Sequence, residues 1–315
     1  MPDVYDVVII GGGPAGLAAA IYAIRANLST LCVAGSKPGG ALMLTTEVED
    51  YPGFEQPIQG PELMERMRKQ CERLKVEFMD ENVDSVDFKA KPFTVKLDDK
   101  TLKAKTVVIA TGGDFKMLGL PSESKYLGKG VSTCAVCDGF FFRGKDIVVI
   151  GGGDSAAREA LFLANIVKTV TIVHRRGEMR AQPVLQQRLK ASPKIKFEWN
   201  SEVQEIKGNT FVNSVVLKNN QTNALKELKV DGVFVAIGHE PGTKLFKDKI
   251  EIDQKGYIVL KKGQQTSVPG VFAAGDVHDY TYQQAVTAAG YGAAAALEAY
   301  RYLEAQKLDK PNKKK

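Results

Sequence analysis

Two near-copies of one apolar strand, each running into a glycine turn, restrict the folds open to this chain more than any other feature. Val7-Val8-Ile9-Ile10 leads into Gly11-x-Gly13-Pro14-Ala15-Gly16, and Ile147-Val148-Val149-Ile150 leads into Gly151-x-Gly153-Asp154-Ser155-Ala156. The first small residue permits a tight turn, the second lets the backbone approach a pyrophosphate, and the third lets the following helix lie close to its strand. That helix start also offers unpaired N–H groups and the positive end of a dipole. Glycine turns form for steric reasons too, so a single copy is weak evidence. Two copies, each between a strand and a helix, point to two dinucleotides.

The repeat extends further. Val107-Val108-Ile109-Ala110-Thr111-Gly112 and Val233-Phe234-Val235-Ala236-Ile237-Gly238 are later apolar strands that end in glycine. The expected fold is α/β: two Rossmann-like, three-layer dinucleotide-binding domains, each with a β-rich excursion between its opening and closing strands. Apolar spacing predicts helices over residues 14–27, 61–74 and 154–166, and alternation predicts strands over 93–97 and 211–217. A strand over 268–276 ends in Gly275-Asp276 and precedes a small-residue helix over 283–300, with no third opening turn. That segment is expected to return to the first unit, which makes the second an insertion joined by two hinge-like linkers. The expected divisions are residues 1–114, 115–243 and 244–315.

Composition narrows the partners. Of the formal charge of +6, the five lysines and one acid from Lys307 onward carry 5 − 1 = +4, which leaves about +2 on the body. A solvated basic end is expected there, with no nucleic-acid partner, since no nucleic-acid module motif is present. No apolar run approaches the roughly 20 residues that span a bilayer, and the N-terminus lacks a signal-peptide pattern. A cytoplasmic protein with no membrane partner is therefore expected.

Between the two turns lies Cys134-Ala135-Val136-Cys137-Asp138, which reads as a redox-active disulfide rather than a structural staple. Cys32 falls in a predicted strand and Cys71 in a predicted helix, where buried, inert thiols are expected. His174, His239 and His278 are too scattered to complete a zinc site, so no metal is expected.

The strand after the second turn runs into His174-Arg175-Arg176, with Arg180 following. Guanidinium groups at that place suit a 2′-phosphate where an acid would suit a ribose hydroxyl, so NADPH is expected there. A solvated basic loop is the plainer alternative. The strand after the first turn carries no acid over residues 30–36, so other groups must fix that nucleotide. Gly39-Gly40, Gly275-Asp276 and Gln283-Gln284-Ala285 are the candidates, the last of them facing a flavin's pyrimidine edge. A helix packing through small residues would explain the alanines but not the Gly-Asp turn before them.

In these residues the chain resembles the low-molecular-weight thioredoxin reductases, over essentially its whole length. The resemblance rests on Cys134-Ala135-Val136-Cys137-Asp138-Gly139, on Thr45-Thr46-Glu47-Val48-Glu49-Asp50-Tyr51-Pro52-Gly53, on His174-Arg175-Arg176 with Arg180, and on Gly275-Asp276. It implies FAD in the first unit, NADPH in the inserted one, a homodimer, and a thioredoxin-like partner. It adds Ala41, Leu42, Asp50, Val83, Ala110, Thr111 and Gly112 to the flavin-side candidates, and Asp154, Ser155, Ile237 and Gly238 to the NADPH side. Ala41, Asp50 and Gln283 stand where that family usually has Gln, Asn and Arg.

The resemblance also implies a relay from NADPH to FAD, to the Cys134–Cys137 disulfide, and out to thioredoxin. In it Cys137 faces the flavin, Cys134 attacks the partner, and Asp138 serves as general acid and base, against the plainer reading of Asp138 as a turn or N-cap residue. Because the cysteine pair and the second turn share one unit, that unit is expected to rotate between presenting nicotinamide and presenting disulfide. Two alternatives remain: a related flavoprotein or dithiol oxidase with another partner, and a dinucleotide-binding regulator without turnover.

Overall fold

Val7, Val8 and Ile9 are completely buried, so the strand Tyr5–Ile10 is covered on both faces, as a continuous apolar run in a parallel sheet must be. The computed structural model describes residues 2–45 and 47–308. Thr46 of the quoted motif, and Lys310, Lys313, Lys314 and Lys315 of the basic end, lie outside the described residues.

The chain divides into two compact units, residues 1–114 with 240–315, and residues 115–239. In the first, the strand order is Glu77–Met79, Thr30–Val33, Tyr5–Ile10, Lys100–Ile109, Phe93–Leu97, Ser85–Asp87. Lys100–Ile109 serves two neighbours in succession. Its first half pairs antiparallel with Phe93–Leu97, and Val107, Val108 and Ile109 pair in parallel with Val271, Phe272 and Ala273. The segment after residue 240 thereby closes the first unit's sheet.

Two helices meet at that closure. The last helix, Ala285–Leu308, buries Ala288, Gly292, Ala295, Ala296 and Ala299, a stripe of small residues at helical spacing. A Cβ on Gly292 would overlap the carbonyl of Ala15, so only glycine lets this helix approach the one that follows the first turn, Pro14–Arg25. The predicted start of the last helix at residue 283 is corrected to Ala285. The Asp279 carboxylate accepts the N–H groups of Thr281, Tyr282 and Gln283, and Gln283 sits at φ +50°, outside helical space.

The second unit repeats the plan with five parallel strands: Val131–Ser132, Gly232–Val235, Asp146–Ile150, Thr169–His174, Ile195–Trp199. A separate antiparallel sheet of Ser201–Gly208, Val212–Asn219 and Leu225–Lys229 forms its excursion. The chain crosses between units at residues 114–115 and 239–240. Each crossing is pinned on its own side: Gly242 N–H donates to Gly112 in the first unit, and Lys116 N–H to Gly238 in the second. Among the described residues no helix is long and apolar enough to cross a membrane.

Candidate functional site

The cysteine pair occupies a single helical turn, Ala135–Asp138, that follows the short strand Val131–Ser132. Cys134 and Cys137 are disulfide-bonded, with their Cα atoms 5.4 Å apart. Cys134 is the N-cap, and its sulfur accepts the Cys137 N–H at 3.2 Å. Buried Ser132 fixes that backbone from the strand's end, its hydroxyl accepting the Cys134 N–H at 3.0 Å and donating to the Cys134 carbonyl at 3.2 Å. An N–H aimed at a sulfur favours its thiolate once the bond is opened. The sequence reading did not single out Ser132, although a serine two residues before a capping position is a recognisable local turn signal.

The second glycine turn shows how its three small positions divide their work. Gly151 sits at φ +152°, where a side chain would run into the Ala236 carbonyl and lie 2.8 Å from the Cβ of Ala156. Gly153, in ordinary extended space at φ −97°, faces nothing within 4 Å. That open ground, at the start of the helix Asp154–Ala164, is what a pyrophosphate requires.

Around this turn the predicted basic residues separate into two roles. Arg175, Arg176 and Arg180 are exposed, and Arg180 is held beside the turn by its N–H, which donates to the Gly152 carbonyl at 2.7 Å. His174 is 5% exposed, with its ring in the space that a Gly152 side chain would fill. Burial and the three neighbouring arginines push its pKa below the usual histidine range, so it is neutral at pH 7. The positive charge at this edge is therefore carried by the arginines. Asp154 acts as a tether, accepting the Gln182 N–H at 2.8 Å and its side-chain amide at 3.2 Å. Ser155 is exposed on the helix's first turn, and Ile237 is 38% exposed, just after the closing strand and before Gly238 at φ +120°.

The first turn repeats the geometry with different surroundings. Gly11, at φ +121°, abuts the Ala110 carbonyl, a Cβ on Gly16 would overlap the Gly11 carbonyl, and Gly13 faces open space. Gly39 N–H donates to the Gly12 carbonyl at 3.1 Å, which brings Gly39-Gly40 against the turn. From the other side comes Gly275, at φ +78°, where a Cβ would lie 3.0 Å from that of Ala15. Pro14 and Ala15 open the helix, while Ala41 and Leu42 lie in the 3₁₀ turn Gly40–Leu44. Thr111 ties down the crossing, its hydroxyl donating to the Gly242 carbonyl at 2.7 Å. Asp50 is exposed on a loop, and Val83 is half-buried against the sheet. Its neighbour Asn82, which the sequence reading passed over, accepts the Ser36 N–H at 3.0 Å and so shapes the end of the second strand.

Three acids have altered or special surroundings. Burial, reinforced by Asp279, raises Asp276 to about 7. Asp279 is 7% exposed and spends its oxygens on the loop that leads to Gln283-Gln284-Ala285. Burial alone raises Glu159, on the helix after the second turn, to about 8, and its Oε2 is buried without a hydrogen bond. Cys32 and Cys71 are buried, with thiols that burial pushes up, which makes them poor nucleophiles. No cluster of metal-ligating side chains occurs among the described residues.

A family model described as pyridine nucleotide-disulphide oxidoreductase matches residues 5–292. The chain is 50% identical over 308 residues to a thioredoxin reductase of Streptomyces clavuligerus, covering 97% of this chain and 96% of that one. It is also 48% identical over 307 residues to a glucosaminate ammonia-lyase of Pseudomonas fluorescens, covering 95% of each. Among solved structures, the thioredoxin reductase of Streptococcus pyogenes superimposes with a TM-score of 0.93 at 43% identity, covering 97% of this chain and all of that one.

Proposed function

As the chain belongs to the pyridine nucleotide-disulphide oxidoreductases, we infer that it is a thioredoxin-disulfide reductase, moving two electrons from NADPH by way of FAD to Cys134–Cys137 and on to thioredoxin. The observation that carries this reading is the disulfide itself, seated in one helical turn of a unit that also holds a dinucleotide turn flanked by arginines. Ammonia removal from an amino-sugar acid transfers no net electrons, so it would leave the cysteine pair without a task.

The open ground at Gly13 and Gly153 is room for the two pyrophosphates, FAD in the first unit and NADPH in the second. FAD held at the first turn would supply the chemistry that converts NADPH's hydride into the electron pair that opens the disulfide. The chain's own residues do the rest. On reduction the S–S bond breaks, Cys137 takes up one sulfur's charge on the flavin side, and Asp138 supplies the proton to Cys134. Asp138 then removes that proton, and the Cys134 thiolate, favoured by the Cys137 N–H, attacks the partner disulfide. Cys137 attacks the resulting mixed disulfide, which releases the reduced partner and restores the starting bond. Ser132 holds the Cys134 backbone throughout.

Both the disulfide and the NADPH arginines belong to residues 115–239. A single flavin must meet each in turn, so the inserted unit rotates about its two crossings. The active form is a cytoplasmic homodimer, in keeping with the family resemblance.

The test is anaerobic addition of NADPH to the yellow holoenzyme, followed by oxidised thioredoxin. Wild type bleaches and then reduces thioredoxin; Cys134→Ser still bleaches but loses thioredoxin turnover by about a thousand-fold or more. Failure of the wild type to bleach, or full thioredoxin turnover by Cys134→Ser, would refute the relay.

A further inference from the structure

One cleft of the second unit takes no part in the relay just described. It has a volume of about 210 Å³ and is lined by Arg158, Leu161 and Phe162 of the helix Asp154–Ala164, its C-cap Asn165, and Leu185 and Arg188 of the helix Pro183–Ala191. On the first helix those residues stand at i, i+3, i+4 and i+7, so they form a single face. Leu161 and Leu185 give the cleft apolar lining, Phe162 is 39% exposed, and both lining arginines are exposed. Neither arginine belongs to an ion pair among the described residues, whereas Arg66 and Arg68 both pair with acids.

The cleft is continuous with the redox turn. The helix that carries Phe162 packs against the redox turn, and at buried Gly139 a side chain would meet Leu163 first and then, at 3.5 Å, the Phe162 ring. Beyond it, Val136 is 55%, Phe140 56% and Phe141 37% exposed, and the Arg143 guanidinium lies 4.9 Å from the Phe140 ring centroid. Exposed aromatic groups rimmed by arginine are the usual makings of a protein interface.

We propose that this cleft is an outlying part of the docking surface for the disulfide partner, seating an apolar side chain flanked by carboxylates on that partner. The proposal rests on the reductase reading given above. The occupant is a protein rather than a free anion, because a small anion would leave the apolar lining unused. A standard interface covers about 800 Å² per partner, a disc of roughly 16 Å radius. A footprint of that size centred on Cys134 is wide enough to pass beyond the redox turn onto the helix packed against it, where Phe162 is exposed. All these groups lie within residues 115–239, so the surface travels with the disulfide whatever the position of that unit.

The experiment compares wild-type holoenzyme, the Arg158→Glu/Arg188→Glu double variant, and the Arg158→Lys/Arg188→Lys variant. The probes are oxidised thioredoxin and a small aromatic disulfide, with anaerobic bleaching by NADPH as a separate readout. The double reversal raises KM for thioredoxin about tenfold at low salt, with kcat, small-disulfide reduction and bleaching unchanged. The lysine variant stays near wild type, and the gap between wild type and reversal narrows at 0.5 M salt, a condition at which the screening length is only about 4 Å. An unchanged KM in the double reversal, beside a wild type that reduces thioredoxin, overturns the cleft alone. A wild type that reduces the small disulfide yet leaves thioredoxin oxidised overturns the choice of partner, and the cleft proposal with it.

Discussion

The two glycine turns are nearly the same piece of backbone in opposite electrostatic settings. Each has a first glycine at positive φ against a closing-strand carbonyl, an open second glycine, and a small third residue that admits the helix. Their surroundings then diverge. The first is approached by Gly39-Gly40 and by the Gly275-Asp276 turn, with Asp276 and Asp279 near each other. The second is bordered by Arg175, Arg176 and Arg180, with neutral His174 filling the space under Gly152. The backbone of such a turn accepts a pyrophosphate, and the side chains arriving from elsewhere choose which nucleotide carries it.

The sharpest way to break this comparison is a matched pair of single methyl groups. Gly13→Ala and Gly153→Ala both place a Cβ in open space at φ −82° and −97°, so each variant stripped of nucleotide melts at the temperature of the stripped wild type. Gly13→Ala is expected to lower FAD affinity by about a hundredfold, and Gly153→Ala to do the same for NADPH alone, since charge-assisted N–H contacts are worth roughly 1.5–3 kcal/mol each. Titration calorimetry on each variant reads both ligands. If either change weakens both ligands equally, the turns are not independent sites.

A smaller effect sharpens the basic side of the contrast. Arg176→Ala should weaken NADPH binding about tenfold or more while leaving NADH within twofold, because the lost guanidinium meets only the 2′-phosphate. Equal losses for both nucleotides, measured by fluorescence titration, would return these arginines to the status of a solvated loop.

Smaller again is the fit between Gly152 and His174. Gly152→Ala drives a methyl into the imidazole and should cost about 1–3 kcal/mol, seen as a lower denaturation midpoint. Combining it with His174→Ala should restore part of the loss, whereas additive losses would mean that the two do not share that space.

The subtlest test concerns Glu159, whose buried carboxyl is raised to about 8. The folded protein holds this proton from about pH 4.5 to 8 while the unfolded chain has released it. Stability relative to Glu159→Gln should therefore be full below about pH 4.5 and be lost as pH rises toward 8, by on the order of one to a few kcal/mol. Chemical denaturation of both proteins across that range would show a flat difference if the carboxyl ionises freely in the fold.

Much of this architecture was legible locally. Apolar runs announced the opening strands, and a glycine at the first position of each turn marked where φ had to be positive. The final helix was legible as a stripe of small residues but not in its first turn, because Asp279 diverts the chain through three side-chain bonds before Ala285. Asp276 was legible as a candidate, though its pKa near 7 depends on burial and on Asp279.

By itself, then, the sequence determined the two strand–turn–helix units, the cysteine pair between them and the basic edge of the second, because each is specified by residues within a turn or two of one another. Only the tertiary structure decided that His174 would be buried and neutral, that Gly292 would let the last helix touch Ala15, and that the helix carrying Phe162 would pack against the redox turn. Those outcomes depend on groups that are distant in the chain and meet only after the sheets have formed, so no local pattern of spacing or φ preference encodes them.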